Sequence, residues 1–196
     1  MIRAIITDFD GTLVDTFAAN LQAYQRAFRE EGLILSEEKY RECFGLRFED
    51  FMKRAGIVDD AVAGSIRELK KEYYPQYFDS IKLNSSLLEL ITGFKHLGGK
   101  TAIASTARKE NLLNVVNHFG IADSFNLIFA GDDVKCGKPD PEIYTQVMAT
   151  LEVLPMETII FEDSTIGIIA AESSGANCMI VSPEQFENNG NRSQRS

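Results

Sequence analysis

Two acidic residues stand in the segment "IITDFDGTLVDT", residues 5–16, where Asp8 and Asp10 follow a short apolar run. Carboxylates at the end of a buried strand are costly to desolvate unless a positive partner is present. A divalent cation would remove this cost, and carboxylate oxygens are ligands that suit Mg²⁺. Glycine lets the backbone approach an anion closely, so we expect Gly11 and Thr12 to border an anionic substrate.

More polar residues follow three further apolar runs. Ser105 and Thr106 end "TAIAST", Lys138 lies in "CGKPDPEIY", and "TIIF" is followed by Glu162 and Asp163. In a parallel sheet, the carboxyl ends of the strands border the crevice where ligands bind. The sequence therefore predicts that hydroxyls, an ammonium group and several carboxylates meet at one edge of a sheet.

Some of these residues also fit a purely structural role. Asp163 or Ser164 could cap the helix that begins near Thr165, since an acid after a strand is often a helix N-cap. Taken singly, Ser105 and Lys138 are equally compatible with structure and with function. Asp8 is not, because an acid in an apolar strand end, with a second acid two residues later, is expensive to bury alone.

The elements that must position these residues alternate along the chain. Short apolar runs rich in β-branched residues predict strands at 2–9, 100–105, 126–130, 157–161 and 177–181. Amphipathic stretches of helical period, at 87–97, 111–119, 142–151 and 166–173, alternate with the later runs. This alternation predicts βαβ units, and therefore an α/β fold with a parallel sheet and helices on both faces.

The rhythm changes between the first two strand runs. Residues 17 to about 80 contain only helical patterns, at 21–28, 37–43, 48–54 and 66–78. An insertion of this length after the first strand predicts a separate helical lobe. The segment 183–196 ends in "ENNGNRSQRS", whose polar composition predicts a disordered tail.

Composition narrows the class of protein. The 196 residues suffice for one core and a smaller lobe, and the net charge of −9 disfavours nucleic acid and anionic membranes as partners. No apolar run approaches the roughly 20 residues of a membrane span. The early Asp8 and the widely spaced cysteines further predict a cytoplasmic protein. The sequence is compatible with either a monomer or a dimer.

Four segments carry a resemblance to a known family. "DFDGTLVDT", the strand end at Ser105, "GKPDPEIY" and "IIFEDSTIGIIAAESSGA" resemble, in order and spacing, the motifs of the haloacid dehalogenase-like hydrolase superfamily. Members with a helical cap are the most similar, among them phosphoglycolate phosphatases, sugar phosphatases and β-phosphoglucomutases. The resemblance implies a Rossmann-like catalytic core of residues 1–15 and 83–182, with residues 16–82 forming an inserted small α-helical cap domain.

The resemblance also implies a role for each candidate residue. Asp8 would be the nucleophile that forms an aspartyl-phosphate, and Asp10 the general acid and base. Ser105 would bind phosphoryl oxygens, with Thr106 as a further candidate substrate contact, while Lys138 would offset charge on Asp8 and on the transferring group. The implied Mg²⁺ ligands are the Asp8 carboxylate, the Asp10 backbone carbonyl, and acids from the pair Glu162 and Asp163.

These roles describe a phosphatase that acts on a small phosphorylated metabolite, such as a sugar phosphate or a phosphoglycolate-like compound. A β-phosphoglucomutase is the nearest alternative. Such mutases resemble this chain but carry a histidine where Asn20 stands, and a Ser-Arg motif where it has "GLRFED". The departures favour a phosphatase and make Asn20 and Arg47 candidate substrate contacts, although a solvated cap arginine explains Arg47 equally well.

Other members and other classes fit less well. The dehalogenases that name the superfamily attack carbon and lack an acid at the position of Asp10. The segment "ASTARKEN" differs from the Thr-Asn pairing of many phosphoglycolate phosphatases, which leaves the substrate open. In receiver domains, which are non-catalytic switches built on a phosphorylated aspartate, an acid pair comes first, the acceptor aspartate later and the lysine last. Here Lys138 precedes the final acid pair.

Overall fold

The computed structural model of the chain describes residues 1–182 and residue 186. It divides into two compact units, one made of Met1–Asp15 and the chain from Lys82 onward, the other of Thr16–Ile81. That the second unit serves as a cap stays a prediction. The predicted disordered tail, residues 183–196, lies outside the described residues apart from residue 186.

The strands all belong to the first unit. They are β1 (Ala4–Thr7), β2 (Val14–Asp15), β3 (Lys82–Leu83), β4 (Lys100–Ala104), β5 (Leu127–Phe129), β6 (Thr158–Glu162) and β7 (Asn177–Ile180). Five of them form one parallel sheet in the order β5-β4-β1-β6-β7, so β1 is central. The predicted α/β fold with a parallel sheet is therefore confirmed.

Four helices accompany the sheet, namely α5 (Ser85–His96), α6 (Lys109–Phe119), α7 (Glu142–Leu151) and α8 (Thr165–Ser173). Side chains alternate across a strand, which places Ile6 and Ile160 on the same face of the sheet. Tyr144 of α7 and Ala170 of α8 pack in the same buried cluster as these two isoleucines. Helices α7 and α8 thus cover the face of the sheet on which Ile6 and Ile160 lie, and α5 packs on β4.

A short antiparallel pairing was not predicted from the sequence. Strands β2 and β3 pair antiparallel, with Val14 opposite Leu83. Asn84 strengthens the junction, because its backbone N–H donates to the carbonyl of Leu13 at 2.8 Å and its side-chain amide to that of Thr12 at 3.2 Å. Strands of two residues are too short for an alternation pattern, so the sequence carries no periodic signal for them.

The second unit is helical, as predicted. It contains α1 (Phe17–Glu30), α2 (Glu37–Arg41), α3 (Phe48–Arg54) and α4 (Asp60–Tyr73) around an aromatic cluster that includes Tyr24 and Phe51. The helix predicted over 66–78 instead ends at Tyr73, and Tyr74–Ser80 is a 3₁₀ helix. Pro75 explains the change, because proline has no backbone N–H to donate and its ring clashes with the carbonyl four residues earlier in a continuing α-helix. Among the described residues, no helix is both long and apolar enough to cross a membrane.

Candidate active site

Asp8 directly follows the central strand. Its backbone N–H donates to the carbonyl of Phe161 at 2.9 Å, so the parallel pairing with β6 extends one residue beyond Thr7. The chain then turns tightly, since the N–H groups of Leu13 and Val14 both donate to the carbonyl of Phe9. Asp8 is buried, and Asp10 lies half-buried in the turn. Both acids therefore stand at the carboxyl end of the sheet's middle strand.

Lys138 lies against Asp8, although 130 residues separate them along the chain. Its Nζ atom is 2.5 Å from Oδ1 of Asp8 and 2.5 Å from Oε1 of Glu162, and it also donates to the carbonyl of Ala104 at 3.3 Å. Only 3% of the lysine side chain is exposed. The ammonium is thus a buried charge that bridges two carboxylates.

Glu162 is completely buried, and hydrogen-bond donors surround both of its oxygens. Oε1 accepts from Lys138 and, at 2.8 Å, from the hydroxyl of Tyr144. Oε2 accepts from the backbone N–H groups of Asp163 and Ser164 at 2.9 and 3.1 Å, and from the Ser164 hydroxyl at 3.1 Å. These contacts fix Glu162 as a rigid acceptor for the lysine.

Sequence reasoning missed Tyr144 as part of this network. With Val147, Met148 and Leu151 it forms the buried stripe of α7, which the helical period of 142–151 explains by itself. The tyrosine hydroxyl could have indicated a polar contact, because a buried tyrosine O–H usually has a hydrogen-bond partner. That partner is Glu162 on the neighbouring strand end.

Asp163 is held by the turn that follows Asp10. The Thr12 hydroxyl donates to Oδ1 of Asp163 at 2.7 Å, and Thr12 is fully buried. Gly11 has a φ of 97°, and a Cβ there would clash with the Asp163 carboxylate. The sequence predicts substrate contacts for Gly11 and Thr12; in the structure the Thr12 hydroxyl is directed at Asp163. The cap of α8 is Ser164, which accepts from the N–H of Gly167, so Asp163 is not that cap.

The acids form a cluster that could hold a metal ion. Carboxylate oxygens of Asp8, Glu162 and Asp163 all lie within 4.8 Å of one another. Burial raises the pKa of Asp8 well above its ordinary value, and it raises the pKa of Asp163 to about 6. Burial alone would also raise the pKa of Glu162, but Lys138 holds it below its ordinary value. One ammonium does not balance this set of carboxylates, so the donors and the charge both suit a hard divalent cation.

Ser105 lies beside the other acid. The backbone N–H of Ser105 donates to the carbonyl of Phe129, which places the residue at the end of β4. Its hydroxyl is 3.5 Å from Oδ2 of Asp10 and accepts from the N–H of Ala107 at 3.0 Å. Thr106 follows, half-buried. The predicted convergence of polar residues at one sheet edge is therefore present around Asp8 and Asp10.

Two predicted residues belong to the second unit. The Asn20 side-chain amide donates to the carbonyl of Thr16 at 3.3 Å and to the Tyr74 hydroxyl at 3.4 Å. Arg47 precedes the first turn of α3 and is half-buried. Their contact with a substrate stays a prediction.

Comparisons with known proteins match nearly the whole chain and its fold. A family model described as haloacid dehalogenase-like hydrolase covers residues 5–181. The phosphorylated carbohydrates phosphatase of Thermotoga maritima is 29% identical over 177 residues, which cover 89% of this chain and 82% of that protein.

Solved structures agree with the family match. CbbY from Rhodobacter sphaeroides in complex with phosphate has a TM-score of 0.83 and 28% identity, covering 92% of this chain and 86% of that chain. β-Phosphoglucomutase from Clostridium difficile has a TM-score of 0.80 and 26% identity, covering 96% and 88% respectively. The chain therefore belongs to the haloacid dehalogenase-like hydrolase family, as its motifs predict, and is a hydrolase of the phosphatase type.

Proposed function

We propose that this phosphatase hydrolyses a small phosphorylated metabolite, depends on Mg²⁺, and forms an aspartyl-phosphate on Asp8. One observation carries the proposal: the buried ion pair between Asp8 and Lys138, set beside the carboxylate of Asp163. An isolated buried carboxylate would repel an anionic phosphoryl group. The ammonium of Lys138 offsets the negative charge of Asp8, so the phosphoryl group can approach this carboxylate.

The residues suited to hold Mg²⁺ are Asp8 and Asp163 through their carboxylates, and Asp10 through its backbone carbonyl. The bound ion would supply positive charge that offsets the charge of the phosphoryl oxygens. The sequence predicts Glu162 as a further ligand. Both of its oxygens already accept hydrogen bonds from protein donors, so we assign Glu162 to holding Lys138.

The side chains then divide the chemistry between them. An oxygen of Asp8 attacks phosphorus, and the bond from phosphorus to the substrate oxygen breaks. Asp10 donates its proton to that leaving oxygen, and afterwards accepts a proton from the water that hydrolyses the aspartyl-phosphate. Lys138 offsets the charge on Asp8 and on the transferring group, while Ser105 binds phosphoryl oxygens beside Asp10.

Sugar phosphates are the substrate class we favour. The Thermotoga maritima relative is named for phosphorylated carbohydrates, and a solved relative is a β-phosphoglucomutase. We retain the phosphatase over the mutase because Asn20 carries an amide, which cannot exchange protons with a sugar hydroxyl as an imidazole can. Asn20 and Arg47 stay candidate contacts for the sugar. The charge of −9 supports an enzyme without nucleic acid or anionic membrane partners, and the widely spaced cysteines support a cytoplasmic location.

A screen of phosphorylated metabolites tests the proposal. Phosphate release should require added Mg²⁺, stop in excess chelator and return when Mg²⁺ is restored. Full activity in chelator would contradict the metal assignment. β-Glucose 1-phosphate should yield glucose and free phosphate; its conversion to glucose 6-phosphate with little phosphate release would favour the mutase.

A further inference from the structure

We propose that Glu142 is a positioning residue, which anchors the segment carrying Lys138 and so keeps the ammonium against Asp8. The inference rests on the proposed role of Lys138 in phosphoryl transfer. The Glu142 carboxylate accepts hydrogen bonds from backbone N–H groups and from Gln146, so its effect on Lys138 would pass through the backbone.

Glu142 opens α7, but its side chain turns back toward the preceding loop. Oε2 accepts from the backbone N–H of Cys136 at 2.6 Å, and Oε1 accepts from that of Lys135 at 3.2 Å. Gln146, one turn later in α7, donates to Oε1 at 2.7 Å and steadies the carboxylate. One carboxylate therefore fixes two successive peptide groups just before Lys138.

The other side of Lys138 is tied as well. The N–H of Asp140 donates to the carbonyl of Gly137 at 3.1 Å, and Oδ1 of Asp140 accepts from the N–H of Glu142 at 2.9 Å. Lys138 thus lies inside a closed loop whose two ends both return to Glu142. Removing the Glu142 carboxylate opens this loop on the side that precedes the lysine.

Two physical facts give the anchor its importance. Hydrogen bonds from N–H groups to an ionised carboxylate are among the strong ones in proteins, and the donors at Cys136 and Lys135 hold the pKa of Glu142 below its ordinary value. A shift of the Lys138 backbone changes the distance that its side chain must span to its acceptors on Asp8, Glu162 and Ala104, so anchoring the backbone helps to keep the Nζ atom against them. A misplacement of about 1 Å in an active site can cost about 10²-fold in rate.

Glu157 offers a matched control elsewhere in the same unit. Its Oε2 accepts from the backbone N–H of Leu154 at 3.1 Å and from Arg3 at 3.2 Å. The residue lies just before β6, at the end of that strand opposite to Glu162. Glu157→Gln therefore removes a comparable carboxylate-to-backbone anchor that has no connection to Lys138.

The experiment compares Glu142→Gln with Glu157→Gln by NMR and by steady-state kinetics. In protein labelled with ¹⁵N, amide exchange at Lys135 and Cys136 should accelerate only in Glu142→Gln. The slowly exchanging ammonium signal of Lys138, assigned by its loss in Lys138→Arg, should broaden in Glu142→Gln alone. For a phosphomonoester from the screen, kcat should fall about 10-fold with KM unchanged, because the lysine acts on the transition state.

Each result decides a separate point. Faster amide exchange with an intact Lys138 signal and unchanged kcat would reduce Glu142 to a structural role and overturn the inference. A rise in KM at constant kcat, or an equal loss of kcat in Glu157→Gln, would overturn it too. If the wild-type protein releases no phosphate from any substrate, the proposed function fails, and the Lys138 ammonium signal alone then decides whether Glu142 positions the lysine.

Discussion

The hydroxyl of Tyr144 and the ammonium of Lys138 share one acceptor, Oε1 of Glu162. The lysine Nζ lies 4.9 Å from the centre of the tyrosine ring, so the two groups approach the carboxylate side by side. All three side chains are buried, so a polar group that loses its partner here cannot form a replacement hydrogen bond with water. The loss of any one of these hydrogen bonds therefore lowers the stability of the folded state.

Tyr144→Phe removes only the hydroxyl and keeps the ring in the core. We expect the free energy of unfolding to fall by about 1 kcal/mol and kcat to fall about 5-fold, because Glu162 loses one of the donors that fix it. Urea unfolding and steady-state kinetics measure the two effects. An unchanged kcat would show that the hydroxyl serves only to satisfy its own burial.

The two acids that follow β1 should respond differently to the loss of charge. Asp8→Asn should abolish turnover, since an amide neither attacks phosphorus nor helps to hold the metal ion. Asp10→Asn should retain metal binding, because the proposed ligand there is its backbone carbonyl, and should lose about 10²–10⁴-fold in kcat for alkyl phosphates. The loss should be smaller for aryl phosphates, whose leaving groups need little protonation.

Covalent trapping separates these two roles. After acid quenching, phosphoenzyme should be recovered from Asp10→Asn and not from Asp8→Asn. Equal amounts of covalent phosphate in both variants would mean that Asp8 is not the nucleophile.

Gly167→Ala tests the space around Glu162. A Cβ at position 167 would clash with the buried Glu162 carboxylate, so we expect a loss of about 1–3 kcal/mol in the free energy of unfolding and a lower kcat. The matched control is Gly93→Ala in α5, where a Cβ meets nothing within 4 Å. That change should stabilise the protein by about 0.5–1 kcal/mol. Similar effects of the two substitutions would contradict the close approach of Glu162 to α8.

Asp133 supplies a pH-dependent contribution to stability outside the acidic cluster. Burial alone would raise its pKa, but hydrogen bonds from Lys109, at 2.8 Å, and from the N–H of Ala130 outweigh burial and hold the pKa below 3.8. The folded state therefore releases this proton more readily than the unfolded state does. Its contribution is complete above the unfolded value and disappears as the pH falls through the lower, folded value.

Asp133→Asn should consequently cost less than about 1 kcal/mol at pH 7, since the pair is partly exposed. The difference in the free energy of unfolding between wild type and variant, measured by urea titration, should shrink below pH 3.8. A difference that stays constant from neutral to acidic pH would rule out the lowered pKa.

Local patterns in the sequence determined much of the sheet edge. Short apolar runs rich in β-branched residues, alternating with helical stretches, located the strands that end before Asp8, Ser105 and Asp163. Parallel pairing then requires the carboxyl ends of these strands to meet at one edge of the sheet. The all-helical insertion was equally visible, because its period differs from that of a strand over a long stretch. These features depend on neighbours close in the chain.

Pairings between distant residues were decided only by tertiary structure. Thr12 and Asp163 lie 151 positions apart, and nothing near either residue indicates that the hydroxyl binds this carboxylate. The helical period of α7 accounts for Tyr144 without its hydrogen bond, and the start of the same helix accounts for Glu142 without its hold on the loop. Which buried polar group meets which depends on how helix and sheet pack, and a pattern of apolar spacing does not contain that information.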